Sequence, residues 1–107
     1  MTNKKFASIL DQRIIKIRSV LSAKACEYAS DDDRLHNFKK AACFTRETPS
    51  QVCTGFFLKH LVSVLDIVEE YARLDFRKSE LVDEKIGDAI NYLILLEALL
   101  TESGEAR

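Results

Sequence analysis

The chain has 107 residues, of which 31% are charged and 47% are hydrophobic, a composition typical of globular and not of disordered proteins. Sixteen basic and seventeen acidic residues give a formal net charge of −1, so no basic excess favours nucleic acid as a partner. Three Gly and one Pro leave few turns. We therefore expect one helical domain over residues 1–107, with a frayed tail at 103–107.

We expect no signal peptide, because no sustained apolar run follows the two lysines at 4–5. The three cysteines are not at the spacing of a zinc-binding or CxxC redox pair, which predicts reduced thiols; a disulfide and a catalytic thiol are the alternatives. The longest apolar stretch, 89–100, is interrupted by Asn91 and Glu97 and is too short to cross a bilayer. We expect a soluble, cytoplasmic protein with no membrane contact.

Two helices are predicted in the first half of the chain. The first is expected over about 2–29, with Thr2 or Asn3 as its cap and the polar run 30–33 as its end. Its apolar residues share one face: Phe6, Leu10, Ile14, Ile17, Leu21 and Tyr28. A short second helix is expected over about 33–44, with an inward apolar side: Leu35, Phe38, Ala41 and Ala42.

The third helix opens with the clearest local signal in the chain. Thr48 at the N-cap, Pro49 at the first helical position and Gln51 at the third describe a capping box. The helix is expected to reach about Leu74. Gly55, in its first turns, costs about 1 kcal/mol against Ala, which we interpret as a sign of close packing at that position.

The last helix is expected to be capped by Ser79, to run to about Thr101 and to stop at 103–104. Its second half, 93–100, is apolar nearly all round apart from Glu97. A helix like that is buried on most sides, and so small a domain needs a partner chain to bury it. The sequence thus predicts an all-α bundle of three long helices and one short helix, assembled as a homodimer or larger oligomer.

Polar residues line one face of each of the last two predicted helices. On the third helix they are Lys59, Ser63, Asp66 and Glu70, with Arg73 a turn later. On the fourth they are Glu84, Asp88 and Asn91, with Tyr92 beside them. If the faces meet, the crowded carboxylates favour a cation between them. Such oxygen ligands suit Mg²⁺ or Mn²⁺, and a metal held this way commonly binds nucleotide phosphates.

Each of these patterns also has a purely structural interpretation. The polar set of the third helix describes an ordinary solvated face, and Glu69 with Arg73 has the i, i+4 spacing of a surface ion pair. Glu84 and Asp88 fit a solvated first turn. Asn91 is different, because its apolar neighbours favour burial and a buried amide needs hydrogen-bond partners.

Four segments carry a resemblance to a known family: 24–28, 33–38, 59–60 with Asp66, and 83–93. They resemble a group of small phage-encoded helical proteins described as nucleotide-modification-associated, some of which are labelled MazG-like. The resemblance covers about residues 20–100. It is most specific in the sequence Arg-Leu-His-Asn-Phe at 34–38 and in Gly-Asp-Ala-Ile-Asn-Tyr-Leu at 87–93.

The resemblance implies a phage-type nucleotide-binding protein. The wider MazG-like family is all-α and oligomeric, and it hydrolyses nucleoside triphosphates to monophosphate and pyrophosphate with Mg²⁺ held by acidic helix motifs. Of the later motif, ExxD, this chain keeps Asp88, and Lys85 stands in place of the glutamate. The expected metal ligands are Asp66, Glu69, Glu70, Glu84 and Asp88. Asp88 and Glu84 would be catalytic, and nucleotide contacts would come from Lys59, Asn37, Asn91 and Tyr92.

The alternative is a non-enzymatic helical interaction module that binds and inhibits a host protein through an exposed helix face. The acidic run 31–33 would then be a contact segment. The sequence does not favour a DNA-binding helix-turn-helix, because a recognition helix needs a cluster of basic residues and the sequence offers only Lys39 and Lys40 for one. Whether the protein hydrolyses a nucleotide or only binds one is open at this stage.

Overall fold

A computed structural model describes residues 1–28, 33–74 and 79–105, and all four elements that it contains are helices. They are α1 (Asn3–Tyr28), α2 (His36–Thr45), α3 (Pro49–Leu74) and α4 (Ser79–Glu105). The predicted all-α fold of three long helices and one short helix is confirmed. Residues 31–32 of the acidic run and residues 106–107 of the predicted tail lie outside the described residues.

Two predicted caps are present as hydrogen bonds. The hydroxyl Oγ1 of Thr2 accepts the backbone N–H of Lys5 at 3.1 Å. At the start of α3, the N–H of Gln51 donates to Oγ1 of Thr48 at 3.2 Å, and the N–H of Thr48 donates to Oε1 of Gln51 at 2.8 Å. This reciprocal pair is the capping box, and it fixes where α3 begins.

Three predicted boundaries are wrong. Helix α2 begins at His36 and not at 33, because Oδ1 of Asp33 accepts the N–H of Leu35 at 3.0 Å and holds this segment in a turn. Ser79 is the first residue of α4, not its cap. Helix α4 also continues through Gly104 to Glu105, since a single glycine costs a helix only about 1 kcal/mol and no proline follows.

The core lies where α2 and the start of α3 pack against the end of α4. Leu35, Cys53 and Leu99 are buried there, and Cys53 has no exposed surface. Half-buried side chains pack around this cluster: Phe38, Tyr92, Leu95 and Leu96. The Cys53 thiol donates to the backbone carbonyl of Tyr92 at 3.7 Å, and burial raises the pKa of that thiol. This contact ties α3 directly to α4.

Charged side chains attach α1 to the start of α4. A nitrogen of the Arg13 guanidinium lies 2.6 Å from Oδ1 of Asp83, and Nζ of Lys16 lies 2.8 Å from Oδ2 of the same carboxylate. Arg13 also crosses Gly87, where an added Cβ would meet the guanidinium at 2.6 Å. The glycine that needs close packing is therefore Gly87. The interpretation of Gly55 was wrong, since an added Cβ there meets nothing within 4 Å.

Much apolar surface is left uncovered by these contacts. Phe6, Leu10 and Ile14 were expected to face a core, yet they are 61%, 50% and 41% exposed. Phe6 and Leu10 precede Arg13, which bonds to α4, and Ile14 comes directly after it; among the described residues, no element covers this side of α1. Farther along, Ile17 and Leu21 are half-buried as expected. In α4, Leu93 and Leu100 are about half exposed although Leu99 between them is buried.

Helix α3 is the most membrane-like segment among the described residues. Pro49–Arg73 is long and apolar enough to cross a bilayer by length and composition, and little of its most apolar part is buried. The core helix of a water-soluble protein passes the same test. From the sequence, the stretch 89–100 was tested for crossing a bilayer, but the segment that meets the length and composition test is Pro49–Arg73.

Candidate functional site

A cavity of about 380 Å³ opens where the second half of α1 and helix α2 approach α3 and α4. Its size falls within the range of small-molecule sites, about 300–1,000 Å³. Apolar and aromatic side chains form most of its wall, and four polar side chains enter it: Arg34, Asn37, Asp88 and Asn91. A mostly apolar wall with a few converging polar groups is the usual makeup of a ligand site.

Asn91 is the buried polar side chain of the described core. It is 8% exposed, and its Oδ1 atom has no hydrogen-bond partner. A buried acceptor without a partner costs about 1–3 kcal/mol, so most such atoms in proteins are paired. Because Asn91 lines the cavity, a donor group on a bound molecule could satisfy it. The expectation that Asn91 is buried is confirmed.

Three aromatic rings form one side of the cavity. Phe38 meets Phe56 edge to face, with ring centroids 6.4 Å apart, and Phe56 lies 6.3 Å from Tyr92. On the other side of Tyr92, the imidazole of His60 stacks on the phenol ring at 4.7 Å. These contacts hold the rings in fixed orientations and present flat apolar surface to the cavity.

The charges at the cavity have opposite signs. The Arg34 guanidinium donates one hydrogen bond to the backbone carbonyl of Leu21 at 3.2 Å, which fixes it beside the second half of α1. Oδ2 of Asp88 lies 3.8 Å from Nδ1 of His60. Burial, assisted by Cys53 and Asp88, raises the pKa of Tyr92 and keeps its phenol a hydrogen-bond donor near neutral pH.

The structure brings together four of the residues singled out in the sequence. Asn37, Asp88, Asn91 and Tyr92 all line the cavity. Asn37 comes from α2 and the other three come from consecutive turns of α4, where their i, i+3 and i+4 spacing puts them on one side of the helix. The resemblance and the out-of-place polar residues thus point to the same cavity.

The other predicted residues lie apart from this cavity. Lys59, Asp66 and Glu70 are exposed on a face of α3 roughly 100° around the helix from the side that packs on α4. Glu69 pairs with Arg73 at 3.6 Å. Glu84 is exposed and lies 3.8 Å from Lys85. Within 1–28, 33–74 and 79–105, no three or more His, Cys, Asp or Glu side chains are grouped to hold a metal ion.

Seven residues of the cavity wall were not assigned to the site from the sequence, and three of them add a charge or an aromatic ring: Arg34, Phe38 and Phe56. Arg34 and Phe38 belong with Asn37 to the segment 34–38 that carries the resemblance, and their i, i+3 and i, i+4 spacing would have placed them on one face of the helix predicted over about 33–44. Phe56 carried no signal. It reads as one apolar residue among many in α3, and only the packing of α2 on α3 brings it beside Phe38.

No known protein family, curated protein or solved structure matches this chain.

Proposed function

We propose that the protein binds a nucleotide in the cavity between α1, α2, α3 and α4. The observation that carries this proposal is Asn91, a buried residue that lines an aromatic-walled cavity and whose Oδ1 has no hydrogen-bond partner. A nucleotide base offers both a planar ring, which packs against aromatic side chains, and an edge with N–H donors, which a carboxamide oxygen accepts.

The remaining polar groups suit the other parts of a nucleotide. Asn37 both donates and accepts, as a base edge or a sugar requires. Arg34 uses one N–H on the Leu21 carbonyl, and a guanidinium has five, so donors are left for a phosphate. The phenol of Tyr92 adds a donor at the aromatic side of the cavity.

The enzymatic form of the proposal is Mg²⁺-dependent hydrolysis of a nucleoside triphosphate. Mg²⁺ in nucleotide sites is commonly held by one or two carboxylates together with the substrate phosphates, so a cluster of three acidic residues is not required. Asp88, which lines the cavity, fits this role, whereas Glu84 lies outside the cavity wall. Bound there, the metal would activate water and neutralise phosphate charge. A phage-type protein acting on cytoplasmic nucleotides is the setting that we propose.

The test combines a thermal-shift screen with an assay of pyrophosphate release. Purified protein is incubated with each dNTP and NTP, with and without Mg²⁺ or Mn²⁺. We expect at least one nucleotide to raise the melting temperature, because a ligand that binds only the folded state stabilises it. No shift with any nucleotide overturns the proposal. Pyrophosphate release that Asp88→Ala abolishes identifies the enzymatic form, and a shift without release identifies a binder.

Asn91→Leu separates a ligand-binding role from a structural one. Leucine has the same number and branching of side-chain heavy atoms and removes the unpartnered acceptor, so the unliganded variant should unfold at the same temperature as wild type or higher. The nucleotide-dependent shift should be lost. Gln12→Leu, at an exposed position of α1, is the control and should keep the full shift. A variant that melts normally and still responds to nucleotide would assign the recognition to other residues and contradict the role of Asn91.

The exposed apolar half of α1 favours a second candidate, an interaction module that binds and inhibits a host protein. Phe6, Leu10 and Ile14 form a stripe of the kind that packs into a groove on another protein. A protein of this kind would show no nucleotide response. It would instead lose its partner when Leu10 is changed to Glu.

A further inference from the structure

Helix α3 carries a second apolar stripe that the described structure leaves largely exposed, with Leu61 half-buried. Its members recur in steps of four and three, and we call the stripe the outer seam: Thr54, Leu58, Leu61, Leu65, Val68 and Ala72. Leu58, Leu65 and Val68 are 52%, 57% and 61% exposed. Steps of four and three residues are the spacing with which two helices pack side by side over several turns.

The outer seam is separate from the face that α3 uses within its own fold. Cys53 and His60 mark the inner face, through their contacts with Tyr92 of α4. The seam lies roughly 110° around the helix from the inner face in one direction. The charged residues Lys59, Asp66 and Glu70 lie about as far from the inner face in the opposite direction. Val62, which is 55% exposed, widens the seam. An apolar arc of this width is what a helix with neighbours on two sides requires.

The surface area of the chain shows how much remains to be covered. The accessible surface is 8237 Å² for a mass of 12.2 kDa. A compact monomer of that mass exposes about 6,100 Å². The Cα radius of gyration, 16.2 Å, likewise exceeds the value of about 13 Å for a compact chain of this length. A standard protein interface removes about 800 Å² from each partner, so the excess is large enough to form one.

We infer that the outer seam of α3 is the interface with a second copy of this chain. A stripe with 4-3 spacing is self-complementary, because the residues that form its knobs also form the holes that receive them. None of the six seam positions is charged, and a net charge of −1 per chain gives two copies little repulsion. The inference goes beyond nucleotide binding, since the cavity is lined from the inner side of α3.

A membrane is the other occupant that the apolar length of α3 suggests, and the seam favours a second copy over it. Lys59 and Asp66 lie within the span and are exposed, and both would have to be buried in lipid. In a dimer through the seam they stay in water. Lipid also places no demand on 4-3 spacing, whereas a partner helix does.

The test measures mass in solution for the full chain and two matched variants. Light scattering after size exclusion should give wild type a mass twice 12.2 kDa, with a melting temperature that rises with protein concentration. Leu65→Glu places a charge in the centre of the seam and should raise the dimer dissociation constant about thirtyfold or more. Ile15→Glu is the control: Ile15 is 67% exposed and lies outside the seam, so this variant should stay dimeric.

Circular dichroism of Leu65→Glu distinguishes loss of the dimer from unfolding of the chain. Since Leu65 is already 57% exposed within one chain, the monomeric variant should keep its helical signal at low temperature. If Leu65→Glu loses the helical signal, Val68→Glu at the more exposed end of the seam replaces it with the same expected result. A wild-type mass of one chain at every concentration overturns the inference. The inference is also overturned if Ile15→Glu weakens the dimer as much as Leu65→Glu does. Flotation of wild type with phosphatidylcholine–phosphatidylglycerol vesicles would overturn it as well.

Discussion

The two ends of α3 meet very different surroundings. At its start, Val52 and Cys53 are buried under α2 and the end of α4, and a capping box fixes the first turn. Farther along, Leu65 and Val68 are more than half exposed. Both regions have helical apolar spacing of the same quality. The comparison teaches that apolar periodicity marks a face that needs a neighbour, but not whether the same chain supplies that neighbour.

The largest difference between covered and uncovered apolar residues should appear when one of each is truncated to alanine. Leu99 is 5% exposed, and Leu99→Ala should lower the free energy of unfolding by about 3 kcal/mol, through lost burial and the cavity left behind. Ile15→Ala, at a 67% exposed site, should change it by less than about 0.5 kcal/mol. Urea unfolding at one fixed protein concentration measures both. Equal losses in the free energy of unfolding would contradict the assignment of Leu99 to the core and of Ile15 to the surface.

Removing the cap tests how firmly the start of α3 is held. Thr48→Ala deletes the hydroxyl that accepts the Gln51 N–H and should cost about 1 kcal/mol. Thr45→Ala is the control, because the Thr45 hydroxyl only donates back to the carbonyl of Ala41 inside α2. It should be near neutral in the same urea experiment. A larger loss from Thr45→Ala than from Thr48→Ala would refute the capping assignment.

Glycine-to-alanine substitutions compare a helix position with free space around it, Gly55, and one that a neighbouring side chain crosses, Gly87. An added methyl at Gly55 meets nothing within 4 Å, so Gly55→Ala should stabilise the protein by up to about 1 kcal/mol. Gly87→Ala should gain less or lose stability, since its methyl would displace the Arg13 guanidinium from Asp83. Thermal unfolding of the pair gives the sign of each effect. A greater gain at position 87 would contradict the crossing of Arg13 over α4.

The smallest expected effect concerns pH and the attachment of α1. A hydrogen bond from Lys16, with Arg13 alongside, holds the pKa of Asp83 below its ordinary value of 3.8. Because the folded-state pKa is depressed, the stabilisation is present above about pH 4 and is lost as the pH falls through the folded-state value. Asp83→Asn should cost a few tenths of a kcal/mol at pH 7, since the carboxylate is partly solvated.

The same variant should cost nothing once wild-type Asp83 is protonated. The difference in melting temperature between wild type and Asp83→Asn should therefore shrink as the pH falls below about 4. Asp11→Asn, at an exposed position of the same helix as Lys16, serves as the control and should show no such closing gap. A gap that is constant with pH would show that the ion pair does not hold α1.

The start of α3 was predictable from sequence because its cause is local. The capping box of Thr48 and Gln51 involves residues three apart, so α3 was located to the residue. Asp33 shows the limit of that reasoning. A polar residue before an apolar run can cap a helix or form a turn before it, and only the hydrogen bond from Leu35 decides between them.

The candidate site was predictable only in part, because its geometry depends on how far each helix is rotated. Asn91 was identifiable because a polar residue among apolar neighbours is conspicuous. The acidic residues of α3 were expected opposite Asp88. A rotation of α3 by about a quarter turn decides whether they face α4 or water, and a single helical wheel does not contain that angle. Arg34 and Phe56 reach the cavity from separate helices for the same reason.

The buried thiol of Cys53 makes the chain a reporter of its own opening motions. A thiol reagent needs both access and the thiolate, and Cys53 has no exposed surface and a raised pKa. The exposed Cys43 should react at once. Labelling of Cys53 then proceeds only as fast as α3 separates from the carbonyl of Tyr92. Because Tyr92 also lines the cavity, occupation of that cavity should slow the alkylation of a cysteine that the occupant never touches.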